Sequence, residues 1–171
     1  SHDGDVHGFH GISDIFLIRL NKLGQKVWTR SIGGTDSENG SSLVQTPDGG
    51  FLIAGNTLSN DGNISGNHNS STADGWVAKL NALGVIQWQK CYGGTELDLV
   101  NSIIPYKDGY LFFGYTHSTD GDVINNVCEG IQNGSAWMVI VDSKGNTITK
   151  SGRGDVSKDA KTAIAEWRKK S

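Results

Sequence analysis

Lys26 to Gly34 of the chain have the sequence KVWTRSIGG, and residues 86 to 94 repeat its outline as IQWQKCYGG, 60 residues later. Trp28 therefore recurs as Trp88, and the pair Gly33-Gly34 recurs as Gly93-Gly94. A repeat with a fixed period of this length is typical of proteins built from successive copies of one small structural unit. This period is the strongest single indication of the fold.

Other markers recur in the same order along the chain. Ile148 stands where a third tryptophan is expected, so the last copy is degenerate. The repeats divide the chain into units at residues 1–60 and 61–119, a partial third unit at 120–156 and a basic segment at 157–171. The markers are Asp3-Gly4-Asp5-Val6 with Asp61-Gly62-Asn63-Ile64 and Asp120-Gly121-Asp122-Val123, Asp48-Gly49 with Asp108-Gly109, and Ala54-Gly55 with Phe113-Gly114.

Each complete unit predicts four short β-strands. In the first unit, branched and aromatic residues bounded by Gly, Asn or Asp predict strands at 15–20, 26–32, 41–46 and 51–55. The connection Pro47-Asp48-Gly49-Gly50 has the residues of a tight turn. Four antiparallel strands and a crossing loop are typical of one blade of a β-propeller. We therefore predict an all-β fold of propeller-like blades, two complete and one partial, with a sandwich of meanders as the alternative.

The motifs also resemble a known kind of repeat. They are Asp-x-Trp-Val-x-Lys-Leu at 74–80, Gly-x-x-x-Trp-x-Lys at 84–90 and Asp-Gly-Gly-Phe-Leu-Ile-Ala-Gly at 48–55. This pattern is similar to the propeller-like repeats of exported surface proteins of the Bacteroidota that are associated with type IX secretion. The resemblance covers residues 1 to about 150. It implies a secreted, periplasmic or cell-surface protein, and it leaves the biochemical role undefined.

Composition argues against two classes of partner. The 171 residues include 15 Lys and Arg against 18 Asp and Glu, a formal net charge of −3. Such a chain has no overall basic surface for nucleic acid. No apolar run approaches the roughly 18 residues that a membrane-spanning helix needs. We therefore expect no nucleic-acid partner and no membrane span.

The segment Asp61-Gly62-Asn63-Ile64-Ser65-Gly66 matches the start of a calcium loop, where positions 1, 3 and 5 supply oxygen ligands and position 6 is glycine. The first unit has Asp3, Asp5 and His7 in the same places, and Asp14 follows at the twelfth position. In the second unit the closing acid, Asp74, comes two residues later than that position. The alternative is a metal-free turn in which Asp and Asn bind backbone amides. The candidate calcium ligands are Asp3, Asp5, Asp14, Asp61, Asn63, Ser65 and Asp74.

Histidines offer a second, weaker metal hypothesis. His7 and His10 beside acidic residues suit zinc. The pair is not repeated in the second unit, where only His68 remains, so zinc is not expected. Cys91 and Cys128 form a disulfide in an oxidising compartment or stay as buried thiols, and the sequence leaves both open.

Aromatic residues predict packing more than binding. Recurrence of Trp28 and Trp88 at one phase of the repeat predicts contacts between successive blades. The four tyrosines are less regular, and we expect them to offer an exposed contact surface. They are Tyr92, Tyr106, Tyr110 and Tyr115.

No trio of acid, base and nucleophile recurs in the chain, so we expect no enzyme. The expected function is a non-enzymatic repeat scaffold or binding module that binds a protein or a glycan through its loops, with calcium as a stabilising ion. One alternative is a carbohydrate-active propeller with Asp36, Glu96 or Asp98 as catalytic carboxylates. Another is a structural spacer in a longer adhesin-like chain.

The ends of the repeat array raise two further expectations. Fewer than three blades cannot close a ring, so flanking repeats or self-association are expected to complete it. Ser157 and an apolar stripe from Ala160 to Trp167 predict a short C-terminal helix. Alignment of residues 154–164 with 94–104 predicts a strand there instead.

Overall fold

The computed structural model describes residues 4–123 and 134–151. These residues form ten β-strands and contain no helix, which confirms the all-β prediction for the described part of the chain. The predicted helix or strand at 157–171 lies outside the described residues. The strands are β1 Ile15–Leu20, β2 Lys26–Ile32, β3 Glu38–Gln45, β4 Phe51–Thr57, β5 Asp74–Leu80, β6 Ile86–Tyr92, β7 Asp98–Tyr106, β8 Gly109–Thr116, β9 Ser135–Asp142 and β10 Thr147–Ser151.

The strands form three antiparallel sheets. The first sheet contains β1 and β2, the second has the order β3-β4-β5-β6, and the third has the order β10-β9-β8-β7. The sheets do not coincide with the repeat units, because β1 to β4 of the first unit are divided between two sheets. A single parallel bridge, between Ser13 and Ser37, adjoins that division.

The length of a connection does not indicate whether it joins two different sheets. Residues 33–37, between β2 and β3, cross from one sheet to the next. The much longer loop 58–73 joins β4 to β5, which pair in one sheet from Phe51↔Leu80 to Thr57↔Asp74. A sequence period fixes the length of the unit but not the strand at which a sheet begins. The sheets are therefore shifted by two strands relative to the sequence units.

The second sheet is buried on both faces. Successive side chains of a strand point to opposite faces, and in β4 Leu52 and Ala54 pack towards the third sheet while Ile53 packs towards the first. All seven residues of β5 are buried. We call the contact between the first and second sheets the first junction, and the contact between the second and third sheets the second junction.

Trp28 and Trp88 have equivalent surroundings at the two junctions. The Trp28 ring lies against Gly84, where an added Cβ would come within 3.2 Å of it, and its Nε1 donates to the Ala82 carbonyl at 3.2 Å. The Trp88 ring lies against Gly145, where the same distance is 2.9 Å, and its Nε1 donates to the Ser143 carbonyl at 3.0 Å. The predicted contact of these tryptophans with the following unit is confirmed.

Three tyrosines contradict the expectation of an exposed surface. Tyr92, Tyr106 and Tyr110 are buried. Tyr92 packs against Phe112 with ring centroids 4.7 Å apart, because the large rings fill the second junction. Only Tyr115 of the four is half-buried.

Candidate functional site

The loop between β4 and β5 holds the link between β2 and β3. Asp61 Oδ1 accepts a hydrogen bond from the Thr35 amide at 2.8 Å, and its Oδ2 accepts one from Thr35 Oγ1 at 2.9 Å. The Asn63 amide donates to the Gly33 carbonyl at 3.0 Å. The hydrogen bond from the Thr35 amide is the main cause that lowers the pKa of Asp61. Two predicted calcium ligands therefore act as hydrogen-bond partners of the first junction.

The second junction repeats this arrangement. The Thr95 amide donates to Asp120 Oδ1 at 2.8 Å, and the Asp122 amide donates to the Gly93 carbonyl at 2.7 Å. The Thr95 hydrogen bond is the main cause that lowers the pKa of Asp120. Gly121 has a φ of 63°, and a Cβ there would lie 2.3 Å from the Gly93 carbonyl oxygen. Only glycine fits this close approach.

The side chains of two more predicted ligands, Asp14 and Asp74, are buried at equivalent positions beside a histidine. The His10 amide donates to Asp14 Oδ2 at 3.0 Å, and His10 Nδ1 lies 2.8 Å from the same oxygen. His68 contacts Asp74 Oδ2 in the same way, at 3.0 Å through its amide and 2.5 Å through Nδ1. His68 is therefore the structural counterpart of His10, and Ser65 stands at the position of His7. His10 and His68 are 58 residues apart, the spacing that also relates Asp3 to Asp61, whereas the closing acids are 60 apart.

A second buried carboxyl group faces each of these aspartates. At the first junction it belongs to Glu38, whose Oε2 accepts from the Gly34 amide at 2.9 Å and whose Oε1 accepts from Thr57 Oγ1 at 2.7 Å. At the second junction it belongs to Asp98, whose Oδ2 accepts from the Gly94 amide and Ser118 Oγ, both at 2.7 Å.

The two carboxyl groups of a junction flank one glycine. A Cβ on Gly33 would lie 2.5 Å from Glu38 Oε2 and 2.6 Å from Asp14 Oδ1. A Cβ on Gly93 would lie 2.5 Å from Asp98 Oδ2 and 2.9 Å from Asp74 Oδ1. Any side chain at either glycine would displace both acids. The glycine pairs recognised in the sequence are therefore required for the close approach of these acids.

Burial is the largest influence on the pKa of the two aspartates at the second junction. It raises the pKa of Asp74, against the opposing effect of hydrogen bonds from His68, and the nearby charge of Asp98 raises it further. Burial also raises the pKa of Asp98. Asp14 Oδ1 and Asp74 Oδ1 have no hydrogen-bond partner among the described residues. A buried polar oxygen without a hydrogen-bond partner is costly for the fold.

No protein-family model matches the chain. The chain is 30% identical over 123 residues to the "Regulatory protein FlaEY" of Caulobacter vibrioides. The aligned region is 68% of this chain and 13% of that relative. The chain therefore corresponds to a small part of the relative's length.

The remaining predicted ligands do not join one centre. Asp5 is exposed and pairs with Lys26, which lowers its pKa. Ser65 Oγ accepts a hydrogen bond from Gln89. Asp3 lies outside the described residues. Within residues 4–123 and 134–151, no three His, Cys, Asp or Glu side chains are grouped to hold a metal ion. Calcium binding stays a prediction.

The other reactive groups singled out in the sequence lie apart. Asp98 is buried and hydrogen-bonded as described, whereas Glu96 is exposed and Asp36 is half-buried. Cys91 is a buried free thiol whose pKa is raised by burial, and Cys128 lies outside the described residues. The described part of the chain forms no helix long and apolar enough to cross a membrane.

Proposed function

We propose that the chain is a non-enzymatic repeat scaffold or binding module built from propeller-type blades. The observation that supports this proposal is the repetition of one set of contacts at two successive junctions. The indole rings of Trp28 and Trp88 lie on turn glycines of the next sheet, and the carboxylates of Asp61 and Asp120 hold a threonine amide. Sheets that bury each other's faces make a stable array, and such an array leaves its loops at the surface for binding.

The burial of Asp98 supports a scaffold over an enzyme. Asp98 Oδ2 accepts two hydrogen bonds inside the second junction, one from the Gly94 amide and one from Ser118 Oγ. A catalytic carboxylate must reach the substrate, and a fully buried Asp98 does not. The proposed partners are therefore a protein or a glycan bound at the loops, as opposed to a substrate that the chain converts.

The wider setting is also part of the proposal. The resemblance of the motifs supports a secreted, periplasmic or cell-surface location, with flanking repeats or further copies completing a ring of blades. Calcium is proposed as an additional stabiliser of the loops that precede β1 and β5. The likeness to a protein named as regulatory supports a regulatory role as a second candidate. A structural spacer is the simplest form of the same scaffold.

An activity assay and an experimental structure together test the scaffold. We expect the 171-residue chain to release no chromophore from a panel of 4-nitrophenyl glycosides. Turnover that disappears in Glu96→Gln or Asp36→Asn, and persists in Asp108→Asn, would establish the carbohydrate-active alternative instead. We also expect one rotation to superpose the second sheet on the third in a crystal structure. Sheets that no common rotation relates would remove the propeller proposal.

A further inference from the structure

The first sheet is incomplete in comparison with the other two. It has two strands, whereas the second and third sheets have four each. β1 corresponds to β5 at the 60-residue spacing, and β5 is paired on both sides, with β4 and with β6. Within the described ranges, β1 pairs only with β2. Its other edge therefore presents backbone N–H and C=O groups available to a further strand.

Apolar side chains of β1 are exposed beside this edge. Phe16, Ile18 and Leu20 are 38%, 47% and 50% exposed. The corresponding residues of β5 are Trp76, Ala78 and Leu80, each of which is 0% exposed. In the second sheet, β4 places Phe51 opposite Leu80 and Ile53 opposite Ala78. All four belong to or border the cluster of the first junction, where Ile15 and Ile32 of the first sheet also pack. The exposed side chains of β1 therefore lie on a face that lacks, among the described residues, both a neighbouring strand of this type and a covering sheet.

We propose that the open edge of β1 binds a β-hairpin of the β3–β4 type, supplied by another repeat unit of the same polypeptide. The proposal rests on the proposed repeat scaffold and names the partner of its open end. The hairpin's β4-type strand pairs antiparallel with β1, with residues equivalent to Phe51 and Ile53 opposite Leu20 and Ile18. This is β-strand addition, in which main-chain hydrogen bonds supply affinity and alternate side chains supply specificity.

The strand pairing favours this occupant over a second copy of the described fold. The partner that β1 lacks is the equivalent of β4, and β4 itself is already paired on both sides, with β3 and β5. β8, the other strand of this type, is likewise paired with β7 and β9. The described residues of a second folded copy therefore offer no free strand of the required kind. An additional hairpin supplies one.

The repeat alignment gives the length of the connection. Asp3-Gly4 aligns with Asp61-Gly62, so Ser1 aligns with Ser59 and follows the position equivalent to Leu58. A copy of residues 36–58 joined directly to Ser1 therefore places β3 and β4 equivalents before β1. The connecting loop then follows the sequence pattern that already joins β4 to β5.

The test is an extended chain with this copy of residues 36–58 in front of Ser1. Amide hydrogen exchange measured by NMR reports the pairing of each strand. We expect the β1 amides that point away from β2 to exchange about tenfold or more slowly than in the 171-residue chain. The matched control carries Phe51→Asp and Ile53→Asp within the added copy only, and it is expected to give no slowing. Unchanged exchange of β5 amides shows that the original fold is intact.

A second measurement covers the case in which the extended chain does not fold. A synthetic peptide of residues 36–58 is added to the 171-residue chain, and amide chemical shifts of β1 are expected to change in proportion to peptide. Equal slowing with the intact and the doubly substituted copy would overturn the proposal, as would unchanged β1 signals with both probes. Slowing of β1 exchange on concentrating the unextended chain alone would assign the edge to a second copy and overturn it as well. Each of these results leaves the assay and structural tests of the scaffold unaffected.

Discussion

The two junctions share their turn contacts and differ in their cores. The first is mostly aliphatic and includes Ile15, Ile32 and Ile53. The second is aromatic, and Phe112 lies between Tyr92 and Trp137 with ring centroids 4.7 and 5.6 Å away. At both junctions an indole lies on a turn glycine and an aspartate holds a threonine amide. The contacts of the turns and links are therefore the same at the two junctions. The core positions differ in residue type between the junctions but stay apolar.

The largest effect is expected in the aromatic core. Phe112→Ala removes a fully buried ring from between two others, and large-to-small changes of this kind cost about 3–5 kcal/mol. Ile53→Ala is the matched change at the aliphatic junction, because Ile53 aligns with Phe112 in the repeat. It removes fewer buried atoms and no ring contact, so we expect a smaller loss. Guanidinium chloride unfolding measures both, and a larger loss for Ile53→Ala would contradict the ranking of the two cores.

The next effect tests the contact that the junctions share. Gly84 and Gly145 have φ values of 74° and 78°, and each borders a tryptophan ring. Gly24 has a φ of 75° in the equivalent turn of the first sheet, with no atom within 4 Å of an added Cβ. Alanine at any of the three incurs backbone strain of about 1–3 kcal/mol. Only Gly84→Ala and Gly145→Ala also crowd an indole ring, whose nearest atoms would lie 3.2 and 2.9 Å from the added Cβ.

We therefore expect Gly84→Ala and Gly145→Ala to lower the melting temperature by similar amounts, and both by more than Gly24→Ala. The difference from Gly24→Ala isolates the contact with the ring from the strain of the turn. Equal effects of all three substitutions would show that the tryptophan contact contributes nothing to stability.

The sequence predicted the strands well because their signals are local. Branched and aromatic runs bounded by turn residues placed strands at 15–20 and 26–32, where β1 and β2 are found. Their grouping into sheets depends on long-range pairing, such as that of β4 with β5 across loop 58–73. A repeating sequence has the same period whichever strand is taken as the start of the unit. The period therefore fixed neither the first strand of a sheet nor the position of the incomplete one.

The candidate site was harder to predict for a different reason. His10 and His68 recur at the spacing of 58 that also relates the two Asp-Gly turns, so their equivalence was present in the sequence and was missed. Their contacts with the closing acids, Asp14 and Asp74, depend on the folded loop. Glu38 and Asp98 begin β3 and β7 at equivalent positions, and their burial follows from the sheet packing. The Asp-Gly turns were recognised correctly. Their hydrogen-bond partners, Thr35 and Thr95, come from links that the sequence offered no reason to connect with them.

A smaller effect is expected from pH at the second junction. Hydrogen bonding from Thr95 lowers the pKa of Asp120 in the folded chain. A group whose folded pKa is lowered stabilises the fold above its unfolded pKa, about 3.9, and that stability is lost as the pH falls through the folded value. Asp120→Asn removes this titration. We expect its melting temperature to fall less than that of the parent chain between pH 5 and pH 3.

The matched control for this pH series is Asp108→Asn, which changes an exposed acid in a turn of the third sheet. It is expected to follow the parent chain across the same range. Identical pH profiles for Asp120→Asn and the parent chain would show that the Thr95 hydrogen bond is not linked to acid stability.

The smallest effect is expected from calcium. Both carboxylate oxygens of Asp61 already accept hydrogen bonds from Thr35, so an ion there would replace contacts that exist without it. Ligand binding raises stability in proportion to the logarithm of its concentration over the dissociation constant. We therefore expect chelator to lower the melting temperature by less than Gly84→Ala does, and calcium, added after the chelator, to restore it. Asp61→Ala should reduce this response and Asp120→Ala should leave it, because Asp61 is one of the predicted ligands and Asp120 is not. A response that Asp61→Ala leaves undiminished would place the ion elsewhere, and no response in the parent chain would show that the turn is stabilised by its hydrogen bonds alone.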